Sequence, residues 1–381
     1  MRELKSAVEL NARLIAFFLP QFHPIPENDA WWGKGFTEWR NVTKARPLFR
    51  GHDQPKYPAD LGYYDLRLPE VRAQQAELAK AYGIEGFCYW HYWFSGKQLL
   101  ERPVNDVIAS GKPDFPFCLA WANEPWSRRW DGSPHRILQD QTYGGEEDDR
   151  GHFEYLLPAL RDPRAIRIDG KPIFLIYHAN MLPDASRTTN LWREIAMKEG
   201  LPGLYLMSVE TMGTFGWDPK LGGFDAAVMF QPNWRKLTQL KKMESWRVKL
   251  FKKLKYGWDL PVIDYGVLWR SSLSDVADYP LYPGVFPRWD NTPRRGKRGL
   301  VVLGSTPDEY GKWLKSTVDK LKDRPKEHRI VFINAWNEWA EGNYLEPDSQ
   351  FGHAYLKATC DAIRGDSWRD GSTTTRRRHG A

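Results

Sequence analysis

Eight short apolar runs recur along this chain of 381 residues, each followed by a longer amphipathic segment. No other feature constrains the fold as much. Runs of that length read as strands buried on both faces, and the segments between them as helices that cover a parallel sheet. The runs lie at 14–19, 86–93, 115–121, 172–177, 204–209, 226–230, 281–286 and 330–335, the seventh interrupted by Pro283. Boundary signals support the helices. Pro69 and Glu70 open one that Gly83 closes, and Ser305 to Glu309 supply a cap and first-turn acids for another whose buried stripe is Trp313, Leu314, Val318 and Leu321. Residues 354–363 serve as a closing helix. The pattern predicts an α/β protein, a single (β/α)8 TIM barrel with long βα loops over 13–365, after an N-terminal extension at 1–12 and before a disordered basic tail at 366–381. A doubly wound sheet is the alternative, but no GxGxxG follows the first strand and no GxxxxGK[ST] occurs.

Charge is concentrated. Between 235 and 255 nine Lys/Arg face the single Glu244, a local net charge of +8 that leaves the rest of the chain at −1. Nucleic acid is therefore not an expected partner. Leu237, Leu240, Met243, Trp246, Leu250, Phe251 and Leu254 fall at helical spacing in that stretch, which predicts one basic amphipathic helix. It reads either as a solvated outer excursion or as a contact to an anionic membrane surface or a lipid-linked glycan. The N-terminus lacks an apolar signal core and no run approaches a membrane span. A cytoplasmic protein is expected, peripheral at the inner face of the membrane if the basic segment binds there. Cys88, Cys118 and Cys360 show no CxxC or zinc spacing and read as reduced core thiols.

In a barrel the chemistry sits at the C-terminal ends of the strands. The first strand runs into Pro20-Gln21-Phe22-His23, the third into Trp121-Ala122-Asn123-Glu124-Pro125-Trp126, and the eighth into Trp336-Asn337-Glu338-Trp339-Ala340-Glu341. Alternation along the second strand puts Tyr89, His91 and Trp93 on one face. With 19 Trp, 17 Tyr and 18 Phe, an aromatic-lined cleft is expected. Carboxylates set among Trp suit glycoside chemistry: desolvation keeps one carboxyl protonated, and indole faces stack on sugar rings. Two pairings fit, Glu338 with Glu341 or Glu124 with Glu338. Glu124 reads as a catalytic or substrate-binding carboxylate, or as one held in a loop ion pair by Arg128 or Arg129. Asn123 and Asn337 offer amides to sugar hydroxyls, and His23, Tyr89, His91 and Asp290 are expected substrate contacts. Trp32, Trp93, Trp121, Trp126, Trp289 and Trp336 are candidate cleft aromatics, of which about half should line it and the rest pack helices on the barrel. No HExxH or Cys-His spacing suggests a metal, and no cofactor is expected.

Seven segments carry a resemblance: LIAFFLPQFHP at 14–24, WWGKGFTEW at 31–39, DLGYYDLR at 60–67, GFCYWHYWF at 86–94, WANE at 121–124, RWDNTPR at 288–294 and NAWNEWAEG at 334–342. Over about residues 13–365 the chain resembles the WbsX-like family, which is similar to glycoside hydrolase family 99 and whose members often belong to surface-polysaccharide and O-antigen biosynthesis loci. The resemblance implies a retaining, endo-acting glycosidase barrel acting on α-mannosidic bonds. It maps the catalytic pair onto Glu338, which deprotonates the substrate 2-hydroxyl so that this oxygen attacks C1, and Glu341, which protonates the leaving oxygen and then activates water. Two other classes stay open, a glycosyltransferase of lipopolysaccharide or O-antigen biosynthesis and an inert glycan-binding barrel. Against the transferase stands the lack of a phosphate-cradling loop or a DxD motif; against the inert module, the joint presence of Glu338 and Glu341.

Overall fold

In a computed structural model of the chain, each apolar run forms a strand; the structure describes residues 10–127, 137–243, 245–256 and 260–364. The expected N-terminal extension as far as residue 9, the tail from 365, and Arg128 and Arg129 lie outside the described residues. The strands are β1 (Arg13–Phe18), β2 (Gly86–His91), β3 (Phe117–Trp121), β4 (Lys171–Ile176), β5 (Tyr205–Glu210), β6 (Ala226–Met229), β7 in two halves (Leu281–Tyr282 and Gly284–Val285) and β8 (Ile330–Ile333). All pair in parallel with their sequence neighbours, and β1 also pairs with β8.

Pro283, which interrupts the seventh run, divides its strand in two. Its ring cannot donate to a ladder, so β7 changes partner there: Leu281–Tyr282 pairs with β6 and Gly284–Val285 with β8. That handover closes the barrel. Gly284 is required because a Cβ would lie 2.1 Å from the Met229 carbonyl oxygen.

The strands are buried on both faces, as their unbroken apolar character demands. Inside, Phe17 stacks on Trp90 with centroids 4.9 Å apart, and Phe230 and Phe332 pack beside Phe17. Outside, Trp192 and Trp313 are fully buried between helices and barrel. The helix Pro69–Ala81 starts at its proline, and Thr306 caps Pro307–Asp319 by accepting from the Glu309 amide. Ala354–Ile363 packs on that last helix. All three cysteines are free and buried.

One expected element differs. The basic segment forms two helices, Trp234–Met243 and Trp246–Tyr256, rather than one. Only Leu237 of its seven periodic apolar residues is buried, with Leu240 half-buried against the barrel. Leu237 and Leu240 hold the first helix on the barrel, whereas the second is held at its end, where Tyr256 packs on Phe49 and Lys252 donates to the Val262 carbonyl at 2.7 Å.

Candidate active site

The C-terminal ends of the strands converge on a cleft of about 350 Å³. Its floor is the top aromatic layer of the barrel, where Trp90, Tyr177 and Phe230 meet edge to face at centroid distances of 5.4 to 5.8 Å. Its walls come from Trp32, Tyr92, Trp126, Trp234 and Trp289, and its polar groups from Glu124, His178, Arg294, Arg295, Glu338 and Glu341.

The loop after β8 places both expected catalytic carboxylates here. Asn337 fixes its start: the side-chain oxygen accepts from the Leu19 amide at 2.7 Å, and the amide group donates to the Leu19 carbonyl at 3.0 Å and to the Tyr64 hydroxyl at 3.2 Å. This ties the end of β8 to the end of β1. Gly342 turns the chain after Glu341 with φ of +59°, where a Cβ would stand 3.0 Å from the Asp290 backbone, so the turn and the close approach both favour glycine.

One guanidinium organises the acids. Arg294 donates to Glu38 at 2.6 Å, to Glu341 at 2.6 Å and to Glu338 at 2.9 Å. The Glu338 side chain is 9% exposed and that of Glu341 22%. Burial pushes the Glu338 carboxyl up to about 8, against the pull of Arg294 and with the help of repulsion from Glu341 and Glu38. Burial also raises Glu341, again opposed by Arg294 and aided by Glu38. Arg294 is shared by three carboxylates in a largely buried site, and burial together with repulsion among the acids raises both Glu338 and Glu341 against the pull of Arg294 and, at Glu341, of Arg295.

Asp290 does not reach the cleft, contrary to its expected role as a hydroxyl ligand. Its oxygens are consumed by His52 at 2.8 Å, Gln54 at 2.6 Å, and the Thr292 amide and hydroxyl at 3.0 and 2.6 Å. Burial opposes its ionisation, but hydrogen bonds from His52, Thr292 and Gln54 outweigh it and hold the carboxyl below the usual range. What Asp290 anchors is the short helix Thr292–Arg295 that carries Arg294.

Several other expected contacts also lie elsewhere. Strand two presents the opposite parity: Trp90 and Tyr92 face the cleft, whereas His91 pairs with His152 at 2.8 Å and Trp93 stacks on the same imidazole, both on the outer surface against the helix Glu146–Arg161. Burial lowers His91 to about 3, so it packs as a neutral ring. Tyr89 packs against Phe18 and Phe117. His23 is buried beside the Pro20 carbonyl and lowered to about 4 by burial, also away from the cleft. Trp121 donates to the Trp93 carbonyl, and Trp336 is fully buried against Phe87. Of the six candidate tryptophans, Trp32, Trp126 and Trp289 line the cleft. Asn123 spends its amide on the Tyr143 hydroxyl and the His178 backbone. Glu124 does line the cleft, its side chain 46% exposed, with His178 3.5 Å away.

Sequence reasoning passed over Arg294, Glu38, Tyr177, His178 and Trp234. The first two stand inside segments that carried the resemblance, at 31–39 and 288–294. Among the described residues no group of three or more His, Cys, Asp or Glu could hold a metal ion.

Comparison with known proteins follows the same lines. The family model described as Glycosyltransferase WbsX matches residues 14–359. The protein WxcX of Xanthomonas campestris pv. campestris, whose own description is "uncharacterized", is 46% identical over 356 residues, 93% of this chain and 50% of the relative. The chain thus spans about half the length of the curated relatives it matches. Among solved structures, the family 99 endo-α-mannosidase of Bacteroides thetaiotaomicron superposes with a TM-score of 0.56 at 15% identity, covering 93% of this chain and 97% of that one. A glycoside hydrolase-like protein superposes at 0.55 and 15% identity, covering 96% and 97%. These two likenesses are likenesses of fold, a (β/α)8 barrel.

Proposed function

The chain belongs to the WbsX glycosyltransferase family, and from that premise and the cleft geometry we propose that it is a retaining glycosidase-type enzyme acting on α-linked, mannose-containing glycans of a bacterial surface polysaccharide or O-antigen. The observation that carries this reading is the pair Glu338 and Glu341 on the single guanidinium of Arg294, in an aromatic-walled cleft at the C-terminal end of the barrel. Trp32, Trp126 and Trp289 supply faces for sugar rings, and Glu124 a carboxylate for a hydroxyl.

In the proposed reaction Glu338 accepts the proton of the substrate 2-hydroxyl, O2 attacks C1, and Glu341 gives its proton to the departing glycosidic oxygen. A 1,2-anhydro sugar results. Glu341 then takes a proton from water as the water oxygen attacks C1, the C1–O2 bond breaks, and O2 recovers its proton from Glu338. Two inversions give net retention, and no enzyme carbon–oxygen bond forms.

This sequence starts with the proton on Glu341, and burial raises both Glu341 and the more deeply buried Glu338 in the free cleft. A 2-hydroxyl donating to Glu338 stabilises its ionised form. Substrate binding thereby shifts the shared proton to Glu341, next to the leaving oxygen.

A second reading has its own support, since the family is described as glycosyltransferase. One experiment separates them: incubate the protein with a panel of α-linked mannose-containing and O-antigen oligosaccharides, with and without nucleotide-sugar donors, and read products by mass spectrometry and anomeric configuration by NMR. Cleavage with retention, lost in Glu338→Gln and Glu341→Gln, supports the hydrolase. Consumption of a nucleotide sugar only when an acceptor is present, with no cleavage, supports the transferase and removes the roles given to both glutamates.

A further inference from the structure

The two helices after β6 carry side chains that neither the core nor the cleft explains. The first begins at Trp234, which lines the cleft and packs edge to face on Trp289 at 5.8 Å. It leaves the catalytic end of the barrel, held by Leu237 and Leu240, and reaches Met243 roughly 14 Å further on. From there the large apolar side chains point to solvent: Met243 is 81% exposed, Trp246 69%, Phe251 58% and Leu254 75%. Cations surround them. Lys241, Lys242, Arg247, Lys253 and Lys255 are exposed, and the only acid between 235 and 255 is Glu244.

The mixture is organised rather than random. The Arg247 guanidinium lies over the Trp246 ring at 5.5 Å, and the Lys255 ammonium over Phe251 at 5.6 Å and Tyr256 at 5.2 Å. Aromatic rings with cations on their faces present an apolar body and a charged tip together, which suits the boundary between acyl chains and anionic headgroups. A second copy of the chain is a poor occupant, because a surface of +8 meeting itself places like charges in contact. We propose that this surface docks the protein on an anionic lipid bilayer, with Met243, Trp246, Phe251 and Leu254 entering the interface and the flanking Lys and Arg on the headgroups. The cleft then opens beside the membrane. Docking through this surface is independent of the reaction that the cleft performs.

The test is co-sedimentation of the full chain with vesicles of phosphatidylcholine alone and of phosphatidylcholine with phosphatidylglycerol, together with light scattering for oligomeric state. Two triple variants accompany the wild type: Trp246→Ser with Phe251→Ser and Leu254→Ser, and Lys241→Gln with Lys242→Gln and Arg247→Gln. All six side chains are exposed, so the thermal midpoint should stay at the wild-type value. The wild type should sediment with the anionic vesicles alone and be released by salt, and each triple variant should weaken partitioning by about tenfold or more. Wild type left in the supernatant with both vesicles overturns the proposal, as does equal sedimentation of the variants. A wild-type dimer that the apolar variant dissociates, without vesicle binding, assigns the surface to a second copy instead.

Discussion

The chain places an Asn-Glu pair at two strand ends, Asn123-Glu124 after β3 and Asn337-Glu338 after β8, and they have different fates. In both, the asparagine is consumed by backbone at the barrel rim. The glutamates then diverge. Glu124 is 46% exposed with an imidazole 3.5 Å away, while Glu338 is 9% exposed, bonded to Arg294 and close enough to Glu341 for their charges to repel. The same dipeptide on the same fold thus yields a half-exposed carboxylate in one place and a buried one, raised by that burial, in the other. What separates them is burial first, with repulsion from Glu341 and Glu38 added to it and Arg294 opposing both.

The largest effect should come from exchanging the glutamates. On a cleaved substrate, Glu338→Gln and Glu341→Gln should each lower kcat by roughly a hundred- to ten-thousandfold. Glu124→Gln should act mainly on KM, by about tenfold. Steady-state kinetics checks this, and an equal kcat loss at Glu124 breaks the contrast. Next, Arg294→Met leaves Glu38, Glu338 and Glu341 buried without their cation and should cost about 3–5 kcal/mol of stability in urea unfolding. A stability equal to wild type would mean that the acids are not gathered by Arg294.

A smaller effect tests the half of the comparison in which the two pairs agree. Asn337→Ala and Asn123→Ala each orphan buried backbone groups and should cost about 1–3 kcal/mol. Only Asn337→Ala should also lower kcat, because of the two it alone holds the start of the loop that carries Glu338 and Glu341. The last prediction is a slope. Burial lifts Glu338 from the ordinary 4.5 to about 8, so between those limits the folded protein keeps a proton that the unfolded chain has lost. Its contribution is complete below the unfolded value and disappears as pH rises through about 8. Unfolding free energy should therefore fall from mildly acidic to mildly alkaline pH, and Glu338→Gln should flatten the fall.

How far these features could be read from sequence depends on how local their causes are. The eight strands were legible because burial on both faces writes itself as an unbroken apolar run, and the break in β7 was legible as Pro283. The facing of β2 was not. In Gly86–His91 and the residues after it, aromatic and polar groups fall on both parities, so a period of two cannot choose, and only closure of the barrel turns Trp90 and Tyr92 inward. Asp290 and the two asparagines misled for another reason: the groups that would bind a sugar hydroxyl also bind backbone, and the barrel had prior use for them. Arg294 was hidden by distance, since it meets Glu338 across 44 residues and Glu38 across 256. The single basic helix became two at Ser245, whose hydroxyl accepts from the Val248 amide at 3.4 Å ahead of the second helix, a break that the apolar periodicity does not register.

The most direct test needs no substrate. Carbon-13 NMR of glutamate side-chain carboxyls, titrated in the wild type, Glu338→Gln and Glu341→Gln, reads the proton that the account places between these two groups. The prediction is one carboxyl still protonated at neutral pH and released near pH 8, its signal absent or displaced in both variants. If Glu338 and Glu341 are both fully ionised at neutral pH, with midpoints in the ordinary carboxylate range, the pair holds no acid and the account of the site is wrong.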